Sequence, residues 1–170
     1  MSTDFFYTQK DTSMKQATLV LIIKDGKILL GEKKKGEIGT GMLVGPGGKL
    51  DQGETLVECA VRETKEELDI DLEPEKLSLV AIITFFAAGV ADFKVFIYRT
   101  EAFKGVVRET EDMIPSWHDL KHMPYKKMFE SDRHWFAKAL EATPAQKLGA
   151  RVYYKERAKS FERIEFFQLP

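Results

Sequence analysis

Apolar residues recur along this chain at two periods, and the switching between them lays out the elements. Thr18 to Ile23 is an unbroken apolar run of strand length, and Asp25-Gly26 supplies a residue pair that tight hairpins favour. Lys27 to Leu30 therefore reads as the returning strand. A basic, glycine-punctuated loop from Lys33 to Gly41 follows, then a short strand at Leu43-Val44 and the turn Gly45-Pro46-Gly47-Gly48. Val57, Ala60, Val61, Thr64 and Leu68 fall at i, i+3, i+4, i+7 and i+11, the buried stripe of an amphipathic helix. Thr55 with Glu58 makes a capping box at its start. Asp69, Asp71 and Pro74 should stop it near Leu68, because acids at a helix C-terminus oppose the dipole.

Leu77–Phe86 and Phe93–Thr100 read as strands joined by an Ala-Gly turn, and Lys104-Gly105 as another turn. Arg108 to Met113 is an acidic loop and Ile114–Trp117 a strand. Trp135, Phe136, Ala139 and Leu140 sit at helical spacing within Ser131–Ala142, and Val152–Tyr154 with Ile164–Leu169 suggests a terminal hairpin. Strands with helices on both sides predict an α/β/α sandwich around a mixed central sheet. No repeat, low-complexity tract or linker divides the 170 residues, so one domain over 1–170 is expected.

Charge and cysteine content narrow the function classes. A net charge of −1 argues against a general polyanion binder, so long nucleic acid is not the expected partner. Cys59 is the single cysteine and cannot form an internal disulfide; a buried structural thiol is expected. Met1 to Gln16 is polar with Phe5, Phe6 and Tyr7 interleaved, which does not fit a signal sequence, and no apolar run is long enough for a bilayer. These features predict a cytoplasmic protein with no membrane partner. They fix no oligomeric state.

The chemistry concentrates between Gly47 and Leu68. Glu63, Glu66 and Glu67 stand at i, i+3 and i+4 and share one helix face. At about 100° per residue they centre roughly 120° from the apolar stripe, beside the core rather than in it. Acids clustered in this way repel one another unless cations neutralise them, and hard divalent cations commonly bridge carboxylates to phosphates. A solvated amphipathic helix would show the same acids. Arg62 and Glu54, which extend the pattern across a glycine loop, favour the metal site.

With Gly48, Glu54, Arg62, Glu63, Glu66, Glu67 and Ile70 at their spacing, the segment resembles the Nudix box, G-x5-E-x7-R-E-U-x-E-E-x-G-U, where U is aliphatic. Thr64 replaces an aliphatic residue and Asp69 a glycine; if Asp69 needs positive φ, aspartate tolerates it better than most residues. The resemblance implies the same sandwich fold and an enzyme that hydrolyses a nucleoside diphosphate linked to a further group, with Mg²⁺ or Mn²⁺ bound. It implies Glu63, Glu66 and Glu67 as metal ligands, with Gly47 in the metal set and Gly47 and Gly48 letting backbone approach the phosphates. Arg62 would orient a carboxylate, Glu54 would support it, and Lys33 or Lys49 could meet a phosphate. Asp112, with Glu111 as rival in a loop that also holds Glu109, would complete the catalytic set; either it or Glu63 would take the proton from water.

Beyond the box, LLGEKKKGEIGTG, GPGGKLDQGE, ETEDMIPSW and MPYKKMFESDRHWF are similar to the animal-type enzymes that hydrolyse oxidised purine nucleoside triphosphates such as 8-oxo-dGTP, over roughly Thr18 to Phe136. That similarity implies conversion of a nucleoside triphosphate to monophosphate and pyrophosphate, in nucleotide-pool sanitation. It implies a base pocket from Val44, Thr84, Phe129, Ser131, Asp132 and Trp135, with Trp117 a further aromatic that core packing would equally explain. Asp132 and Trp135 match the family there. Val44 stands in place of an asparagine, Phe129 of a tryptophan, Ser131 of an acid, and Thr84 lies near a phenylalanine, so hydrogen-bonded readout of the base is reduced. Two other readings stay open. One is hydrolysis of a nucleotide sugar, a dinucleoside polyphosphate or a capped RNA 5′ end; the other is a silent nucleotide sensor, against which the intact acids argue.

Overall fold

A computed structural model of the protein describes residues 14–170. Most of the polar N-terminal stretch weighed above, residues 1–13, lies outside them. In chain order the elements are β1 (Lys15–Lys24), β2 (Lys27–Lys33), β3 (Leu43–Val44), α1 (Leu56–Leu68), β4 (Asp71–Leu72), β5 (Ser78–Ala87), β6 (Val90–Thr100), β7 (Phe103–Lys104), β8 (Met113–Asp119), α2 (Asp132–Glu141), β9 (Leu148–Glu156) and β10 (Lys159–Gln168). The main sheet runs β10-β9-β5-β6-β1-β2-β3, with β8 also paired to β2. Two pairings, β1 with β6 and β5 with β9, are parallel and the rest antiparallel, which is the mixed sheet expected.

The run Leu19–Ile23 is apolar throughout because β1 is covered on both faces. Val20 and Ile22 pack with Leu29, Ala60, Leu68, Ile70 and Tyr98 under α1. Leu21 points the other way, to Ile28, Leu30, Trp135, Phe136 and Ala139 under α2. The two helices thus cover opposite faces of one sheet. At the β1–β2 turn Asp25 and Gly26 both have positive φ, 51° and 72°, as a two-residue hairpin with the favoured twist requires.

Helix α1 begins and ends where the sequence places it. Thr55 accepts a hydrogen bond from the Glu58 N–H at 3.2 Å, and Glu58 accepts from the Thr55 N–H at 2.8 Å. At the other end Asp69 is left-handed, with φ 57°, and its N–H closes on the Lys65 carbonyl at 3.0 Å. Aspartate here does the work a glycine usually does. The reading that all three glutamates stand beside the core needs one correction: Glu67 is buried, 8% exposed, while Glu63 is half-buried and Glu66 exposed. At about 100° per residue Glu67 lies roughly 80° from the centre of the apolar stripe, nearer than Glu63 or Glu66, and its carboxylate meets the Gly47 N–H of the covering loop.

The C-terminal hairpin is longer than its apolar positions suggest, since Lys155, Glu162 and Glu165 on its outer positions break the alternation. The short β4–β7 pair joins segments about thirty residues apart and has no local signature.

Candidate active site

Two features meet at the Val44–Gly48 segment: an acid-lined face on one side and an apolar cavity on the other. The acid face is organised by Arg62. Its Nε donates to Glu54 Oε1 at 2.6 Å and its Nη2 to Glu54 Oε2 at 2.9 Å, a two-point fork. Nη1 reaches Glu63 at 2.9 Å and Glu66 at 3.5 Å, and Nη2 the Lys49 carbonyl at 3.2 Å. The i, i+4 pair with Glu66 is thus the longest of these carboxylate contacts. Glu54 also accepts from the Asp51 N–H at 3.0 Å. The Arg62 fork first, and that N–H second, hold the Glu54 carboxyl down at about 2. Glu54 is therefore spent on anchoring the arginine.

Glu67 accepts a hydrogen bond from the Gly47 N–H at 2.9 Å. Burial pushes its carboxyl up to about 8 despite that bond, and the nearby charges of Glu63 and Asp112 raise it further while Lys33 opposes. Burial likewise raises Glu63 against the pull of Arg62. Both loop glycines are needed for closeness. A Cβ on Gly48 would collide with the Glu63 carboxyl, and one on Gly47 with the Thr18 carbonyl. Cys59 lies beneath this loop, fully buried, with its sulfur 3.3 Å from the Thr18 hydroxyl; burial pushes the thiol up, so it is the structural thiol expected.

The Arg108–Met113 loop is tied to α1 by the Thr110 hydroxyl, which donates to the Glu67 carbonyl at 2.9 Å. This brings Asp112 within electrostatic reach of Glu67, while its own carboxylate pairs with Lys35 at 2.7 Å. Glu109 pairs with Lys34 at 2.5 Å. Lys33 folds back to the Ile38 carbonyl at 2.9 Å, and Lys49 lies 5.9 Å over the Phe93 ring. Among the described residues no three His, Cys, Asp or Glu side chains converge in a ready-made metal cage; Glu54, Glu63 and Glu66 each bond Arg62. The donor set nonetheless suits a hard divalent cation: it offers only oxygens, it carries more negative charge than Arg62 balances, and Gly48 leaves room for backbone at Glu63.

The cavity, about 220 Å³, has Leu19, Val44, Phe85, Phe93, Phe129 and Trp135 among its walls. Asp132 lines it as its deepest charged group, 5% exposed. Its Oδ1 accepts from the Trp135 indole N–H at 3.1 Å and its Oδ2 from the Phe129 N–H at 3.2 Å. Burial outweighs both donors and pushes the carboxyl up to about 7. Val44, Phe129, Asp132 and Trp135 are therefore brought together as expected.

Three expected residues fall elsewhere. Thr84 does not line the cavity; its neighbour Phe85 does, because successive strand side chains alternate faces. Ser131 is fully buried behind the wall, where its N–H and hydroxyl both bond the Tyr154 hydroxyl, at 3.1 and 2.9 Å. Trp117 lies on the outer surface against Phe103, 36% exposed. Sequence reasoning missed Phe85, Phe93, Tyr154 and the rim pair Asp92–Arg157. The alternation within β5 could have found Phe85; the rim pair, 65 residues apart, leaves no local signal.

Residues 14–139 match the NUDIX domain, and with the sandwich and the acid face in place the chain belongs to the Nudix hydrolase family. It is 35% identical over 128 residues to the oxidized purine nucleoside triphosphate hydrolase of Danio rerio, covering 75% of this chain and 80% of that protein. The Mus musculus protein of the same name is 34% identical over 125 residues, covering 73% and 78%. The MutT protein of Bacillus halodurans has the same fold, with a TM-score of 0.76 over 90% of this chain and 97% of that one at 20% identity. The chain is a hydrolase, and Nudix hydrolases generally use divalent metal ions. Among the described residues no helix is long and apolar enough to cross a membrane.

Proposed function

We propose that this chain hydrolyses a nucleoside triphosphate to the monophosphate and pyrophosphate, with an oxidised purine nucleotide such as 8-oxo-dGTP as the leading substrate class and nucleotide-pool sanitation as its role. One observation carries this reading. Val44 and Gly45 line the cavity, while Gly47 and Gly48 touch Glu67 and Glu63. Five consecutive residues thus link an aromatic-walled pocket to a cluster of acids, the spacing a base and its phosphates require. Pockets for whole ligands run to roughly 300–1,000 Å³, so a cavity of about 220 Å³ suits one part of a nucleotide, the flat base, and leaves the phosphates outside. The names of the two vertebrate relatives support the oxidised purine.

In this reading Glu63, Glu66 and Glu67, with the Gly47 backbone, would hold Mg²⁺ or Mn²⁺, for which Glu63 and Glu66 would give up their bonds to Arg62 and Glu67 its bond to the Gly47 N–H. Divalent ions there would stabilise the charge that shifts among phosphoryl oxygens during transfer. Arg62, locked by Glu54, orients Glu63. Glu63 or Asp112 takes the proton of the attacking water, and Lys33 meets a phosphate oxygen. Phe129 and Trp135 flank the base, and Asp132, whose carboxyl burial pushes up to about 7 so that its protonated form is populated near neutral pH and can donate, reads its edge. One domain over 1–170 is part of this proposal, supported by Tyr154 of β9, which lies beyond the matched residues yet lines the cavity. A cytoplasmic location, a small-molecule nucleotide as substrate, and neither long nucleic acid nor membrane as partner complete the proposal.

A substrate panel with Mg²⁺ tests it: 8-oxo-dGTP, 2-oxo-dATP, ordinary dNTPs and nucleotide sugars, with products identified. Monophosphate and pyrophosphate are expected; sugar phosphate as the main product would move the chain to the nucleotide-sugar reading. Glu66→Gln, at an exposed position, should lower metal-dependent turnover by about 10²-fold or more with an unchanged far-UV circular dichroism spectrum. An undiminished rate in that variant would remove the metal role given to this face.

A further inference from the structure

Asp132 accepts two hydrogen bonds, and both come from its own segment. Phe129, which donates to Oδ2 at 3.2 Å, is three residues back, and Trp135, which donates to Oδ1 at 3.1 Å, is three residues on. The Asp132 N–H closes the same turn on the Phe129 carbonyl at 3.0 Å. These bonds fix how the carboxyl is turned. They do not fix where the turn stands against the cavity walls that the sheet supplies, among them Leu19, Phe85 and Phe93. Trp135 and Phe136 press α2 onto the sheet, but apolar packing is non-directional. At its far end α2 is tied to β6 by Arg99, which donates to the Ala142 carbonyl at 3.2 Å.

At the near end the tie is Tyr154. Its hydroxyl accepts from the Ser131 N–H at 3.1 Å and donates to the Ser131 Oγ at 2.9 Å. Both residues are buried, and Ser131 immediately precedes Asp132. Tyr154 belongs to β9, which is paired on one side with β5 and on the other with β10, so its hydroxyl stands on a braced strand. Ser131 occupies the cap position of α2 yet makes no side-chain cap bond. A serine there ordinarily accepts from an N–H of the first turn; this hydroxyl is turned to Tyr154 instead. Among the described residues, one further hydrogen bond joins residues 129–132 to the sheet, from the Phe161 N–H to Glu130 at 3.3 Å, and it is exposed. We propose that Tyr154 is a positioning residue for base recognition: through Ser131 it sets where the Asp132 carboxyl meets the edge of a purine held in this cavity. This rests on the cavity being the base site, as proposed above. Recognition groups must be held to within about 0.5 Å, and two bonds from a paired strand to the adjoining residue do so here.

The test is a double-mutant cycle on 8-oxo-dGTP with Mg²⁺, with KM and kcat measured separately. Tyr154→Phe keeps the ring and removes both bonds. It should raise KM about tenfold and leave kcat within about threefold; a loss of folded protein alone would lower kcat instead. In an Asp132→Ala background the same change should shift KM by about twofold at most, because no carboxyl is left to place. Ser131→Ala keeps the N–H bond and drops the other, so it should raise KM by less and be equally silent beside Asp132→Ala. It carries the test if Tyr154→Phe does not fold. Asp132→Ser, which can still accept from the Phe129 N–H, replaces Asp132→Ala if that variant does not fold. Additive shifts, an unchanged KM, or a fall in kcat alone would each overturn the assignment. Failure of the unaltered protein to hydrolyse 8-oxo-dGTP would count against the proposed function instead. Tryptophan fluorescence would then read the same cycle from binding of 8-oxo-dGMP. Weakening by Tyr154→Phe that vanishes beside Asp132→Ala upholds the residue's role; additive weakening, none, or no binding overturns it.

Discussion

Thr64 stands in the middle of the buried face of α1, and among the described residues its hydroxyl is the one buried side-chain polar atom without a hydrogen-bond partner. Its methyl group fills the space an aliphatic side chain would, so the packing is sound and the oxygen is the cost. An unpaired buried hydroxyl costs about 1–3 kcal/mol. Thr64→Val keeps the shape and removes the oxygen. It should raise the unfolding free energy by ~1 kcal/mol, read from urea denaturation. A destabilised variant would mean that the hydroxyl is satisfied in solution. Arg62 shows the opposite case. A lone surface pair at i, i+4 contributes little, but this guanidinium also grips Glu54, Glu63 and the Lys49 carbonyl, so it fixes loop and helix together.

At the scale of the element, α1 carries the acids on one side and half the core on the other. Its capping box sets where the winding starts, and the winding sets which glutamate is buried. Thr55→Ala removes the acceptor for the Glu58 N–H and should cost about 1 kcal/mol of stability. The cap is two turns from Glu63, so kcat should be unchanged while the denaturation midpoint falls. A parallel loss of kcat would show that the cap reaches the site. The positions of α1 were readable from residue type because both its ends use local chemistry: Thr55 with Glu58, and Asp69 in a left-handed turn. The β9–β10 hairpin was legible only in part, since β9 also pairs in parallel with β5, about seventy residues away along the chain.

For the whole molecule the buried Asp132 sets a pH dependence. Its folded carboxyl stands at about 7 against an ordinary 3.8, so between these values the folded chain holds a proton that the unfolded chain releases. The stability associated with the neutral carboxyl is fully present below about pH 4 and is lost as pH rises through about 7. Asp132→Asn does not titrate. Denaturation midpoints from pH 4 to 7 should therefore fall less, or rise more, with pH in that variant than in the unaltered protein. The slope is the observable, because the amide also mismatches one of the two donors and shifts the level. Equal slopes would show that the carboxyl ionises in the fold as it does in water.

The sequence by itself determined the helix that bears the acids, the glycine turn before it, the hairpin at Asp25-Gly26 and the family, because each is written in neighbouring residues whose chemistry acts over a turn or two. It also supplied Asp132 and Trp135 as members of one pocket. Only the tertiary structure decided that Glu67 is buried against Gly47, that Phe85 rather than Thr84 lines the cavity, that Ser131 serves the Tyr154 hydroxyl, and that Arg157 meets Asp92 at the rim. These are contacts between strands and loops distant along the chain. Burial and hydrogen bonding there depend on which surfaces the sheet brings together, and no local pattern encodes that.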